Sequence, residues 1–112
     1  MCKQGDVYWA NLPRIGDTSI QFGCRPLVIV SNNACNKFSN VVHCIPLTSK
    51  SKKWYLPTHV PISGHGLPEP CVALAEQLMA VDKKFLKERI GNIKGTEPFR
   101  QIQNAIKIQL AV

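Results

Sequence analysis

Five residues, Pro26-Leu27-Val28-Ile29-Val30, form an unbroken aliphatic run that stops at Ser31-Asn32-Asn33. A run this short, rich in β-branched side chains and bounded by turn residues, reads as a strand buried on both faces. Such a strand needs other elements above and below it. The neighbouring segments supply them. Asp6 to Leu12 (D-V-Y-W-A-N-L) is β-favouring and flanked by Gly5 and Pro13, which predicts a first strand. Pro13 to Gly23 is a loop of about ten residues, a length more often functional than merely connecting. After a turn region from Asn36 to Asn40, Val41 to Leu47 predicts a third strand, in which Pro46 cannot donate to a ladder, so an edge or bulge is expected and fraying from Thr48 onward.

Pro57 and Pro61 confine the stretch up to Ile62 to a sheet edge. Cys71 to Leu78 is expected to be one strand, since Pro68 and Pro70 precede it closely. Asp82 is placed to cap a helix over Lys83 to Ile90, with Gly91 as its left-handed stop. Thr96 is placed to cap another, in which Phe99, Ile102, Ile106 and Leu110 form one apolar stripe. The expected architecture is a single domain over residues 1–112, mainly β with α decoration: a small curled antiparallel sheet or barrel carrying a helix.

Charge narrows the partner. Fourteen Lys and Arg face seven Asp and Glu, a net +7 and a pI near 9.4. No carboxylate occurs between Asp17 and Glu69, whereas Arg25, Lys37, His43, Lys50, Lys52, Lys53, His59 and His65 all fall in that gap. Phosphate-rich partners are favoured, nucleic acid ahead of an anionic membrane. Five cysteines, odd in number and without a C-x-x-C pair, argue against a disulfide framework or a zinc site and are read as reduced thiols. With no signal-like N-terminus and no apolar run near the ~20 residues of a membrane span, a cytoplasmic, non-membrane protein is expected.

Lys3-Gln4-Gly5-Asp6-Val7-Tyr8, Gly23-Cys24-Arg25-Pro26 with its aliphatic run, Pro46-Leu47-Thr48-Ser49, Leu56-Pro57-Thr58-His59-Val60, and Ala75-Glu76-Gln77-Leu78-Met79-Ala80-Val81-Asp82-Lys83 follow one another in order. Together these five blocks resemble the MazF/PemK family of toxin endoribonucleases over nearly the whole chain. The resemblance implies an SH3-like barrel of about five to seven short strands with a C-terminal helix, a homodimer, and inhibition by a cognate antitoxin. It also implies cofactor-free and metal-independent cleavage of single-stranded RNA to a 2′,3′-cyclic phosphate and a 5′-hydroxyl. Two departures stand out: Ile20 occupies a position where the family commonly carries Glu, and Met79 one where it carries Arg.

On this reading Arg25 and Thr48 are the catalytic pair. A guanidinium offers planar paired donors to two phosphate oxygens and stabilises charge in the transition state. With a pKa above ~12 it is ill matched to general base work, so the base is left unassigned. Thr48 and Ser49 offer hydroxyls to phosphate. Lys50 and Lys53, with Lys52 between them and Trp54 and Tyr55 after, are read as phosphate contacts beside stacking rings. Ser19, Gln21, Leu56, Thr58 and Gln77 are carried over from the resemblance as RNA-groove contacts. His59 is open between base, stacking platform and satisfied strand histidine. The competing class is a non-catalytic toxin of the same fold that poisons a protein such as DNA gyrase, and Arg25 with Thr48 argues for the nuclease.

Overall fold

The computed structural model describes residues 1–49 and 56–112. Its elements are β1 (Asp6–Leu12), β2 (Gly23–Ile29), α1 (Asn33–Phe38), β3 (Val41–Thr48), β4 (His59–Ile62), β5 (Cys71–Leu74), β6 (Met79–Asp82), β7 (Leu86–Asn92) and α2 (Glu97–Leu110). All strand pairs are antiparallel, in the order β4-β5-β3-β2-β1-β7, with β6 also on β3. The expected mainly β fold with a C-terminal helix is present, with seven strands among the described residues.

The aliphatic run explains the two-sided core. Val28 packs with Ile45, Leu47, Val60, Ile93, Phe99 and Ile102 under α2, whereas Leu27 and Ile29 pack with Ala10, Val42, Cys44 and Val81 on the opposite face. Alternation along β2 and β3 thus feeds two clusters from one sheet. Thr96 caps α2 by accepting from the Phe99 amide, and Phe99, Ile102 and Ala105 are buried. Burying Phe99 and Ile102 contributes about 1.5–3 kcal/mol each. The stripe ends early, since Leu110 is exposed.

Several local expectations are corrected. The helix over Lys83 to Ile90 does not form. Asp82 accepts from the Lys84 amide at 2.9 Å and caps only a 3₁₀ turn, Lys83–Phe85, after which β7 takes the open edge of β1. Unpaired β1 backbone is worth more than local helix propensity. Gly91 is no helix stop: a Cβ there would sit 2.2 Å from the His65 carbonyl oxygen, so glycine serves a close backbone approach.

The strand expected over Cys71 to Leu78 is two strands, split by a 3₁₀ turn at Ala75–Gln77. β6 pairs with β3 from Val41 to Cys44, and β5 with its far end from Leu47. Pro46 falls between these two partners on an internal strand, where its missing N–H costs no ladder bond on that side. Thr48 is therefore held in the ladder opposite Val72, not frayed. The turn expected near Asn36 belongs to α1, which Asn32 caps by accepting from the Cys35 amide at 2.9 Å. The buried residue of α1 is polar: Asn36 donates from Nδ2 to the Ser31 carbonyl at 2.8 Å, so no apolar period announces the helix.

The N-terminal block is tied to the last strand. Asp6, only 1 % exposed, accepts from the Lys3 amide at 2.8 Å, Arg89 Nε at 2.9 Å and Asn92 Nδ2 at 2.8 Å. Its hydrogen bond and charge raise the Arg89 pKa. All five cysteines are free thiols, and among the described residues no helix is long and apolar enough to cross a membrane.

Candidate active site

The sheet brings the two predicted catalytic residues together. Leu27 faces Pro46 across β2 and β3. The β2–β3 pairing ends there, and Arg25 and Thr48 lie two positions further along their strands, paired instead with Ala10 of β1 and Val72 of β5. The same alternation puts both on the sheet face of Leu27 and Cys44. Both line one concavity of about 250 Å³, together with Trp9, Cys24, Pro26, Leu47, Ser49, Pro68, Glu69 and Cys71.

Arg25 is half-buried, and its Nε donates to the Phe22 carbonyl at 2.8 Å, which fixes the guanidinium plane. It forms no ion pair with any described carboxylate. Burial pulls its pKa below the usual arginine value, the signature of a cation that has shed water without gaining an anion. A guanidinium in this state can offer an oxyanion two parallel hydrogen bonds. Thr48, 9 % exposed, presents what remains of its surface within the concavity. Ser49 beside it is exposed.

The groove residues fall into separate groups. Gln77 binds the β1–β2 loop at two points: Oε1 accepts from the Gln21 amide at 2.7 Å and Nε2 donates to the Ser19 carbonyl at 3.3 Å. The Gln77 amide therefore holds the loop rather than standing ready for a ligand. Arg14 lies over the Phe22 ring at 4.9 Å and stiffens the same loop. Ile20, 51 % exposed, offers no acceptor.

Leu56 and His59 line a different concavity, about 650 Å³, between β4 and α2. His59 Nε2 lies 2.6 Å from Glu76 Oε2, and its side chain is 8 % exposed, so of its three readings the geometry matches the satisfied strand histidine. Thr58 is half-buried, and its carbonyl accepts from the Ala75 amide at 2.9 Å. Lys50 and Lys53, with Lys52, Trp54 and Tyr55, lie outside the described residues.

Sequence reading missed Trp9, Pro68, Glu69 and Cys71 as lining residues. Trp9 reaches the site because it faces Pro26 across β1 and β2. Glu69 corrects the charge argument: the acid-free gap in sequence is not an acid-free surface, since the β4–β5 loop brings Glu69 into the lining of the same concavity. Cys71 registers it, its thiol pushed up first by burial and then by the Glu69 charge.

A sequence model described as "PemK-like, MazF-like toxin of type II toxin-antitoxin system" matches residues 3–110. The chain belongs to that family. It is 37% identical over 114 residues to the "Endoribonuclease MazF" of Staphylococcus saprophyticus, covering 100% of this chain and 93% of that protein. The fold is shared with solved members. A crystal structure of MazF from Deinococcus radiodurans superposes with a TM-score of 0.83 at 23% identity, over 99% of this chain and 97% of that one. A mycobacterial endoribonuclease solved with its cognate antitoxin gives 0.79 at 24% identity, over 100% and 97%. The MazF/PemK toxin barrel is thus the frame in which Arg25 and Thr48 meet.

Proposed function

We propose that this MazF/PemK-family chain is a sequence-selective endoribonuclease that cuts single-stranded RNA without a metal or cofactor, leaving a 2′,3′-cyclic phosphate and a 5′-hydroxyl. The single observation that carries the reading is the convergence of Arg25 and Thr48 on one concavity, with a guanidinium that forms no ion pair with any described carboxylate. The ribose 2′-hydroxyl is a nucleophile already present in the substrate. The protein therefore has to orient the phosphodiester, stabilise the charge gathered at phosphorus and manage two protons. Arg25 takes two non-bridging oxygens, the Thr48 hydroxyl takes one, and Trp9 in the wall of the same concavity offers a ring for base stacking.

The cytoplasmic homodimer, the cognate antitoxin partner and the groove contacts Ser19, Gln21, Ser49, Lys50, Lys53, Leu56 and Thr58 belong to the same proposal, whereas the side chains of His59 and Gln77 are engaged within the fold. The family match supports the antitoxin, and the excess of basic residues supports the RNA groove. The test is incubation of the purified chain with mixed-sequence RNA in EDTA, beside Arg25→Ala and Thr48→Ala. Wild type is expected to release 5′-hydroxyl fragments while both variants fall silent. Uncut RNA with the wild type, or equal cutting by all three, sinks the reading.

A further inference from the structure

Arg25 and Thr48 can hold a phosphate but neither is suited to take the 2′-hydroxyl proton, and the concavity contains one group that is. We propose that Glu69 is the general base of the reaction, a claim that rests on the endoribonuclease reading above. Of the seven acids, Asp6 is buried under three hydrogen bonds, Glu76 is engaged by His59, Asp82 caps its turn, Glu97 pairs with Arg100, and Asp17 and Glu88 do not line the concavity. Glu69 is exposed, forms no ion pair or side-chain hydrogen bond with any described residue, and lines the wall that also contains Arg25, Thr48 and Ser49.

The position is built. Pro68 and Pro70 flank Glu69 and restrict its backbone. The Cys71 thiol donates to the Glu69 carbonyl at 3.4 Å. Upstream, Gly66 abuts the Ile90 carbonyl of β7 so closely that a Cβ would lie 2.0 Å from its oxygen. Glu69 thus stands on a braced loop in the wall of the concavity that Arg25 also lines, and the positive charge of Arg25 offsets the repulsion between a carboxylate and a phosphodiester.

The step balances as follows. The Glu69 carboxylate accepts the 2′-hydroxyl proton as the 2′-oxygen forms its bond to phosphorus. The P–O5′ bond breaks, the departing 5′-oxygen takes a proton from solvent water, and Glu69 returns its proton to solvent. No redox change and no added reagent are involved. An ionised carboxylate fits this task near neutrality better than a guanidinium does.

The experiment measures kcat/KM for a mixed-sequence RNA oligonucleotide in EDTA from about pH 4 to pH 9 for wild type, Glu69→Gln and Glu69→Asp. It also measures binding of the same sequence as non-cleavable DNA, with circular dichroism to confirm folding. Glu69→Gln is expected to lose about 10²–10⁴-fold in rate and the acid limb of the profile, while DNA binding stays within about twofold; Glu69→Asp keeps the limb at reduced rate. Two results overturn the assignment while leaving the nuclease intact: Glu69→Gln cutting at the wild-type rate, or cleavage and DNA binding falling in parallel with the acid limb unchanged. A wild type that cuts nothing removes the parent reading and this one with it.

Discussion

The two concavities of this molecule teach opposite lessons. The one between β4 and α2 is the larger, about 650 Å³ against about 250 Å³, yet its charges are engaged: His59 with Glu76, Arg100 with Glu97. The smaller one holds a half-buried guanidinium anchored only by a carbonyl. Volume measures what fits, whereas an unpaired, partly dried charge measures what is missing. The proposed chemistry is assigned to the concavity whose guanidinium lacks a described ion-pair partner.

The comparison can be broken by substitution. Arg25→Ala is expected to cost about 10²–10³-fold in kcat/KM for RNA, as removal of a transition-state donor does, with little change in thermal midpoint. Arg25→Lys should recover little, because lysine lacks the paired fork. If Arg25→Ala cuts within about threefold of wild type, the smaller concavity is not the site. Gln77→Ala comes next. By releasing Ser19 and Gln21 it should speed amide exchange across residues 13–22 and raise KM about tenfold, with a smaller effect on kcat. An unaltered loop would show that Gln77 does not hold it.

Arg100→Ala, in the larger concavity, should leave RNA cleavage within about twofold, since an exposed ion pair within one helix contributes little. A loss comparable to that of Arg25→Ala would reverse the comparison. The last prediction concerns the core cluster on the sheet face away from α2. Burial pushes the Cys44 thiol from 9.0 up to about 12, so the unfolded chain loses this proton first. Stability is therefore intact below about pH 9 and declines as pH rises toward 12, by at most about 1.4 kcal/mol per unit from this group. Urea titrations across that window should show a shallower decline for Cys44→Ala, and identical slopes would remove Cys44 from the account.

How much of this was legible in the sequence follows from where the determining contacts lie. β1 was readable to its ends because Gly5 and Pro13 punctuate it. Arg25 and Thr48 were found through the resemblance, while the concavity they share appears only with the fold. His59 could not be resolved until Glu76, seventeen residues on, was seen beside it. Glu69 was misplaced for the same reason: a gap in the order of charges says nothing about which loop folds back over it. The helix expected over Lys83 to Ile90 failed because its propensity is local, while the open edge of β1 that claims Leu86–Asn92 is some eighty residues away in the chain.

The paired glycines carry one more consequence. Gly66 against Ile90 and Gly91 against His65 join the β4–β5 loop to the last strand backbone to backbone. A chain growing from its N-terminus owns Arg25 and Thr48 early, but the rail against which the Glu69 loop is seated arrives only with residues 90 and 91. During synthesis the chain therefore carries Arg25 and Thr48 for most of its length before the strand that seats the β4–β5 loop is made.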